Sequence, residues 1–297
     1  MTVPGDSKSP PAVSRLALWA AEGVAHCILC CLDLSTLDAL LHSLRETPEF
    51  RGCLEDGTLW TKLSTVHFGG RRDPQLQSWV APPRGQNEGW DNEERPCVEL
   101  QEFGQSLNDR KHFDRTVTIV EDDIRHIESI DGESLDGIVF PTNPYLTNHY
   151  LGAAEAVYQR AGSELDGFVE DPSFRGIRPV GSAVVTPGFD AGVDKLIHCV
   201  GPNISMLHCY ELLGITYENA LATVLYEHLV CVAMVSISTG SLGASPTKGA
   251  KVAMREIQKF LVRSSWQGKI AIVCKEEHVL EGFKKGKSAV LENFNVL

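Results

Sequence analysis

The sequence has 297 residues, of which 43% are hydrophobic and 22% are charged, and its net charge is −12 at neutral pH. This composition is typical of one or two folded domains and argues against a globally disordered chain. The acidic balance also argues against binding to nucleic-acid backbones, which needs clustered lysine and arginine. It leaves open a small anionic ligand held by backbone amides.

The only candidate for a membrane span is the apolar run 16–34. It contains Glu22, His26 and Asp33, which are costly in hydrocarbon. The start of the chain is rich in proline and serine and does not resemble a signal peptide. We therefore predict a soluble protein without a membrane contact.

The nine cysteines are an odd number, and Cys199, Cys231 and Cys274 lie in apolar runs where cysteine acts as a small hydrophobe. This usage predicts reduced thiols in an intracellular compartment, cytoplasmic or nuclear. The segment 26–31, His-Cys-x-x-Cys-Cys, could supply half of a zinc site. No second half follows at a standard spacing, so we predict no metal.

The first third of the chain is predicted to be mainly helical. Helix-like material covers 12–47, with Ser35 as a candidate N-cap. The alternation over 58–68 predicts a strand. The segment 69–96, rich in glycine, proline and acidic residues, predicts a loop or linker.

Strands and helices alternate in the remaining two thirds. This order predicts an α/β fold with a mostly parallel sheet, which binds ligands at the carboxyl ends of its strands. The predicted strands are 116–120, 137–141, 182–186, 195–200, 229–237 and 269–274, and the predicted helices are 152–160, 206–227, 246–262 and 276–292.

One stretch of this part is typical of a phosphate site. The apolar run 229–235 leads into the small and hydroxyl-bearing residues 236–243, and a helix is predicted to start at Pro246. Glycines let backbone N–H groups approach an anion, and a following helix N-terminus adds favourable polarity.

Five segments, taken together and in order, resemble the macrodomain, an ADP-ribose-binding module. The resemblance implies a three-layer α/β/α sandwich with a mixed sheet over 112–297, and it does not extend to 1–111. The segments are 117–127, which ends its strand in Asp-Asp-Ile; 136–143, ending in Phe-Pro-Thr-Asn; 181–189; 195–202, Lys-Leu-Ile-His-Cys-Val-Gly-Pro; and 237–243, Ile-Ser-Thr-Gly-Ser-Leu-Gly.

The resemblance implies a role for each matching residue. Asp123 would accept a hydrogen bond from the adenine amino group, and the Ile124 backbone would complete adenine recognition. Lys275 stands where an aromatic residue often stacks on adenine, and Asn143 would contact the distal ribose. The remaining implied contacts hold the diphosphate and distal ribose: Gly152, Ala153 and Ala154 at a helix start, and Ser238, Thr239, Gly240, Ser241, Leu242 and Gly243 in the second loop.

The first loop departs from hydrolytic members of the family. Ala154 stands where an aspartate is associated with release of ADP-ribose, and alanine cannot orient a water molecule or act as a base. Glu155 and His149 are the candidate substitutes. The same comparison leads us to expect His198 and Cys199 to be core residues rather than ligands.

Three hypotheses follow for residues 112–297. The first is a reader that binds ADP-ribose or ADP-ribosylated proteins without hydrolysis. The second is an ADP-ribosyl hydrolase that uses Glu155 or His149, and the third is a degenerate pocket kept as a protein-interaction scaffold. None of them requires a cofactor, and residues 1–111 have no assigned role.

Overall fold

The computed structural model describes residues 22–47, 50–76, 97–147 and 151–297. They form two compact units. The first contains the described residues of 22–72 and 97–107 with Val296, and the second those of 73–76 and 108–295 with Leu297.

The elements of the chain, numbered in order, alternate as predicted in the second unit. The helices are α1 (Glu22–Cys31), α2 (Leu34–Glu46), α3 (Arg51–Glu55), α4 (Gly57–Phe68), α5 (Val98–Thr116), α6 (Gly152–Ala161), α7 (Ser163–Glu170), α8 (Cys209–Tyr226), α9 (Pro246–Ser264) and α10 (Glu277–Glu292). The strands are β1 (Val117–Glu121), β2 (Ser129–Ile130), β3 (Glu133–Ser134), β4 (Gly137–Thr142), β5 (Ala183–Pro187), β6 (Lys195–Val200), β7 (Cys231–Val235) and β8 (Lys269–Cys274).

The first unit is helical among its described residues, and its core contains a cluster of aromatic rings. Trp60 and Phe68 lie 5.3 and 5.1 Å from Phe103, measured between ring centroids. The indole N–H of Trp60 donates to the Cys53 carbonyl at 2.8 Å, which satisfies the polar atom of a buried ring.

Two local predictions for this unit were wrong. Residues 58–68 lie in helix α4 and not in a strand, because Asp56 caps the N–H groups of Thr58 and Leu59 and the helix ends at Gly69 with φ 79°. The N-cap of α2 is Asp33 rather than Ser35. The Ser35 hydroxyl instead donates to the Asp33 carboxylate at 2.6 Å.

Six strands of the second unit form one sheet in the order β1-β8-β7-β4-β6-β5. All neighbours are parallel except β5, which is antiparallel to β6. Helices cover both faces, so the predicted mixed, mostly parallel α/β/α sandwich is confirmed.

Successive side chains of each strand point to opposite faces of the sheet and pack into two separate cores. Ile138 and Phe140 of β4 belong to the core that contains α6 and α7, whereas Val139 between them faces the opposite layer. Each of the six predicted strands and four predicted helices is present within a few residues. The helices α5 and α7 and the short hairpin of β2 and β3 were not predicted.

None of the described helices is long and apolar enough to cross a membrane. All nine cysteines lie among the described residues and are free. Burial raises the pKa of the Cys199 and Cys274 thiols, as expected for core residues. The Nε2 atom of His26 lies 2.8 Å from a carboxylate oxygen of Asp56, and the described residues contain no group of three or more possible metal ligands.

Candidate functional site

The sheet brings most of the predicted site residues to one edge. β1, β8, β7, β4 and β6 run in the same direction, so their carboxyl ends meet at that edge. Asp123 follows β1, Lys275 follows β8, the loop 236–243 follows β7, and Asn143 follows β4.

The loop 236–243 contains a run of backbone N–H groups that have no acceptor among the described residues. Ser238 and Gly243 both have positive φ, 65° and 80°, and the Ala244 N–H closes the loop on the Ser238 carbonyl at 2.9 Å. The Gly243 N–H donates to the Gly240 carbonyl at 2.9 Å. Within the described residues, the five N–H groups of 238–242 donate to no protein acceptor. Consecutive backbone N–H groups without a protein acceptor are a feature from which anion-binding sites are built.

The base of this loop is held by packing and by one tyrosine. The Ile237 N–H donates to the buried Tyr217 hydroxyl at 2.9 Å. Gly201, after β6, approaches so closely that a Cβ there would lie 2.4 Å from the Ser238 hydroxyl oxygen. Only glycine at position 201 therefore leaves room for the observed loop.

Two buried hydroxyls beside this edge lack a partner in the described part of the chain. They are those of Ser238 and Thr142, residues that are 3% and 6% exposed. Buried hydroxyls are normally paired, so these two mark a place where a polar ligand or water would be favourable.

The first loop begins with a turn built by Asn143. Its side-chain oxygen accepts from the N–H groups of Tyr145 at 2.9 Å and Thr147 at 3.2 Å. The amide oxygen is therefore used inside the loop, and the Asn143 side-chain NH₂ remains to donate. The buried Tyr158 hydroxyl donates to the Leu146 carbonyl and fixes the same loop from below. His149 lies outside the described residues.

Helix α6 starts without a side-chain cap. Gly152 has φ 64°, and the N-cap Leu151 provides no acceptor, so the N–H groups of 152–154 point out of the helix without a capping side chain. Ala154 is only 3% exposed and packs in the core below α6. Its methyl group therefore contributes packing and no chemistry.

Glu155 is linked to a different part of the site. Its carboxylate accepts from the Gln159 side chain at 3.1 Å, and Gln159 accepts from the Arg125 guanidinium at 3.1 Å. No hydrogen bond joins Glu155 to the loop 236–243 among the described residues. Glu155 thus faces the β1 end of the edge, as expected for a residue about 100° around the helix from Ala154.

Asp123 carries the most engaged carboxylate of the site. One oxygen accepts from the Arg125 N–H at 3.1 Å, and the other contacts the Arg125 guanidinium at 3.1 Å and the Lys275 ammonium at 2.8 Å. Burial alone would raise the pKa of Asp123. The hydrogen bonds and charges of Lys275 and Arg125 outweigh it, so the pKa lies below its usual value.

Sequence reasoning missed the residue that holds the segment after β1. The Arg160 guanidinium donates to the carbonyls of Ile124 and Ile127 at 2.7 Å each, and to that of Ala191 at 2.7 Å. The Ile124 carbonyl is thereby occupied, while its N–H has no partner in the described part of the chain. A lone arginine in an apolar helix face was the available signal. His198 and Cys199 are fully buried core residues, as predicted.

Comparison with known proteins agrees with this architecture. Residues 139–253 match the family model described as Macro domain. An O-acetyl-ADP-ribose deacetylase from Shigella dysenteriae is 30% identical over 147 residues, which are 48% of this chain and 82% of that protein. The chain belongs to the macrodomain family.

Solved structures support the same assignment. A macrodomain of Oceanobacillus iheyensis with ADP superimposes with a TM-score of 0.52 at 26% identity, covering 59% of this chain and 90% of that one. A Trypanosoma brucei macrodomain in complex with ADP-ribose, at 21% identity, has the same fold with a TM-score of 0.51. The family-model match in this macrodomain includes both loops but stops short of Asp123 and Lys275.

Proposed function

We propose that this macrodomain binds ADP-ribose, either free or attached to a protein. The observation that carries the proposal is the run of five unpaired N–H groups at 238–242, which supplies donors for a diphosphate. The uncapped start of α6 follows β4, the strand beside β7, and adds a second set of donors at the same edge.

The two ends of the edge suit the adenosine and the distal ribose of that ligand. Asp123 and the free N–H of Ile124 offer an acceptor beside a donor, which is complementary to the amino group and ring nitrogen of adenine. The side-chain NH₂ of Asn143, which has no acceptor among the described residues, is proposed to contact the distal ribose together with Leu242 and Gly243.

We propose that the protein is a reader and not a hydrolase. Ala154 replaces the acid of the hydrolytic members and is packed in the core. Glu155, its neighbour, is held by Gln159 on the Arg125 side and lies outside hydrogen-bonding contact with the phosphate loop within the described residues. A carboxylate in that position is poorly placed to activate a water molecule at the distal ribose.

One observation favours a second candidate function. The Shigella dysenteriae relative described above, and further bacterial relatives, are named O-acetyl-ADP-ribose deacetylase. If this chain hydrolyses such an ester or a protein-linked ADP-ribose, Glu155 or His149 would have to supply the acid-base chemistry.

The binding proposal is tested by the amide signals of the loop in an isotope-labelled protein. Addition of ADP-ribose should shift the resonances of 238–242 strongly. The Ala244 amide, already bonded to Ser238, should keep its hydrogen bond and serves as the internal control. Unshifted signals for 238–242 at saturating ligand would contradict the proposal and favour a pocket kept only as an interaction scaffold.

Reader and hydrolase are separated by incubation with a mono-ADP-ribosylated protein and with O-acetyl-ADP-ribose. The reader hypothesis predicts that the protein captures the modified substrate and that neither ADP-ribose nor acetate is released. Release that disappears in Glu155→Gln or His149→Gln would establish the hydrolase instead.

We propose that the chain divides into an N-terminal region at 1–111 and a macrodomain at 112–297 that recognises ADP-ribosylated proteins.

A further inference from the structure

Lys275 lies at the end of the site that is proposed to hold the adenine base, in contact with Asp123. β1 and β8 are neighbours, with Glu121 opposite Cys274, and the Asp122 N–H donates to the Cys274 carbonyl at 3.2 Å. Asp123 and Lys275 therefore leave adjacent strands at the same level, and their charged groups meet at 2.8 Å.

The ammonium of Lys275 lies on the acceptor that a purine amino group would need. Of the two oxygens of Asp123, Oδ1 accepts from the Arg125 N–H, and Oδ2 accepts from both cations. The Asp123 side chain is 17% exposed, so little of it remains open to a base. A base that donates to Oδ2 has to share that atom with Lys275 or displace it.

Of the two cations that contact Asp123, Lys275 is the one that a bound base would displace. The Arg125 side chain is restrained by Gln159, which is itself held by Glu155, and it is 32% exposed. The Lys275 side chain is 62% exposed, and Asp123 is its one recorded polar partner among the described residues. An exposed ion pair of this kind changes an equilibrium by a factor of about 1.5 to 5.

Whether a ligand has to displace Lys275 from Asp123 depends on the group at position 6 of its purine base. The 6-amino group of adenine is a donor and competes with the ammonium for Asp123. The 6-oxo group of hypoxanthine is an acceptor, and lysine offers three donors and no acceptor. A 6-oxo purine therefore leaves the Lys275–Asp123 pair in place and gains a donor from it, while its protonated N1 gives up the hydrogen bond that the Ile124 N–H would donate to adenine.

We propose that Lys275 sets base specificity at this site by competing with adenine for Asp123, so that it lowers the preference of the site for adenine over 6-oxo purines. This inference rests on the proposed ADP-ribose function. It concerns how strongly the base is selected, not whether the diphosphate is held.

The test is the ratio of two dissociation constants, for ADP-ribose and for inosine diphosphate ribose, measured by calorimetry. The two ligands share the diphosphate and both riboses, so any general effect of charge cancels in the ratio. The proteins compared are the wild type, Lys275→Met, and the control Lys284→Met, whose side chain is 54% exposed and pairs with Glu281 on α10.

The Lys275→Met variant should shift the ratio toward ADP-ribose by about fivefold, because adenine gains access and the 6-oxo base loses a donor. The Lys284→Met variant should leave the ratio at its wild-type value. An unchanged ratio in Lys275→Met, with both ligands still bound, would overturn this inference and leave the proposed function standing. Absence of binding by either ligand to every variant would overturn both.

Discussion

We expect recognition of the base to depend on Asp123. Its side chain is held by Arg125 and Lys275, and the segment that carries it is fixed by Arg160. The Asp123→Ala substitution should weaken ADP-ribose binding by about 1–3 kcal/mol, because it removes an acceptor with charge. Calorimetry measures the change directly.

The control for this variant is Glu121→Gln, an exposed acid at the end of the same strand. It removes one negative charge without touching the acceptor, so it should leave the affinity nearly unchanged. Equal effects of the two substitutions would show that Asp123 acts only through its charge and does not contact the base.

His198 gives the core of this macrodomain a pH dependence. Burial lowers the pKa of its imidazole to about 3, and one ring nitrogen contacts the Thr186 hydroxyl at 3.0 Å. The unfolded chain takes up a proton on this histidine near pH 6.5, whereas the folded one does not. The contribution of the neutral, buried His198 to the free energy of unfolding is therefore complete above that pH and is lost as the pH falls.

The expected result is a free energy of unfolding that decreases by up to ~1.4 kcal/mol per pH unit on acidification below the ordinary histidine pKa. Urea unfolding of the wild type and of His198→Gln between pH 7.5 and 5.5 gives the free energy of unfolding as a function of pH for each protein. The difference between the two slopes is the part of the pH dependence that belongs to His198. Parallel slopes would mean that His198 is protonated in the fold.

At the scale of the element, the loop after β7 depends on two glycines in different ways. A Cβ at Gly201 would meet the Ser238 hydroxyl at 2.4 Å and Ile237 at 2.7 Å, whereas one at Gly240 meets nothing within 4 Å. Gly201→Ala should therefore cost about 1–3 kcal/mol of stability through overpacking. Gly240→Ala should be tolerated in the free protein.

The Gly201→Ala and Gly240→Ala substitutions together distinguish an effect on folding from an effect on binding. If a diphosphate approaches the backbone at 238–242, the methyl group of Gly240→Ala meets the ligand and weakens ADP-ribose binding while the melting temperature is retained. Thermal unfolding and a titration of each variant are sufficient. Full affinity in Gly240→Ala would show that the ligand does not approach the backbone at this residue.

Local signals explain which elements were predictable from the sequence. The strands and helices after Thr116 repeat apolar residues with clear periods, and their tertiary surroundings agree with those periods. Residues 58–68 alternate like a strand, but the Asp56 cap and the Gly69 terminus decide for a helix. Helix α5 was missed because its apolar face is weakly patterned and its C-terminal half is charged.

At the scale of the whole molecule, the order of motifs predicted the fold and the edge where the site lies. The sequence could not predict how its charged residues pair across that edge. The contacts of Asp123 with Lys275, and of Glu155 with Gln159 and Arg125, join residues from different strands and helices. Such pairs depend on the register of neighbouring elements, which no local pattern contains.

We propose that the edge formed by β1, β8, β7 and β4 binds ADP-ribose. Isothermal titration of the full chain with ADP-ribose tests this proposal most directly, with free ribose as the control ligand that lacks the diphosphate. We expect saturable one-to-one binding of ADP-ribose and no heat from ribose. Absence of binding heat with ADP-ribose at millimolar concentration would contradict it.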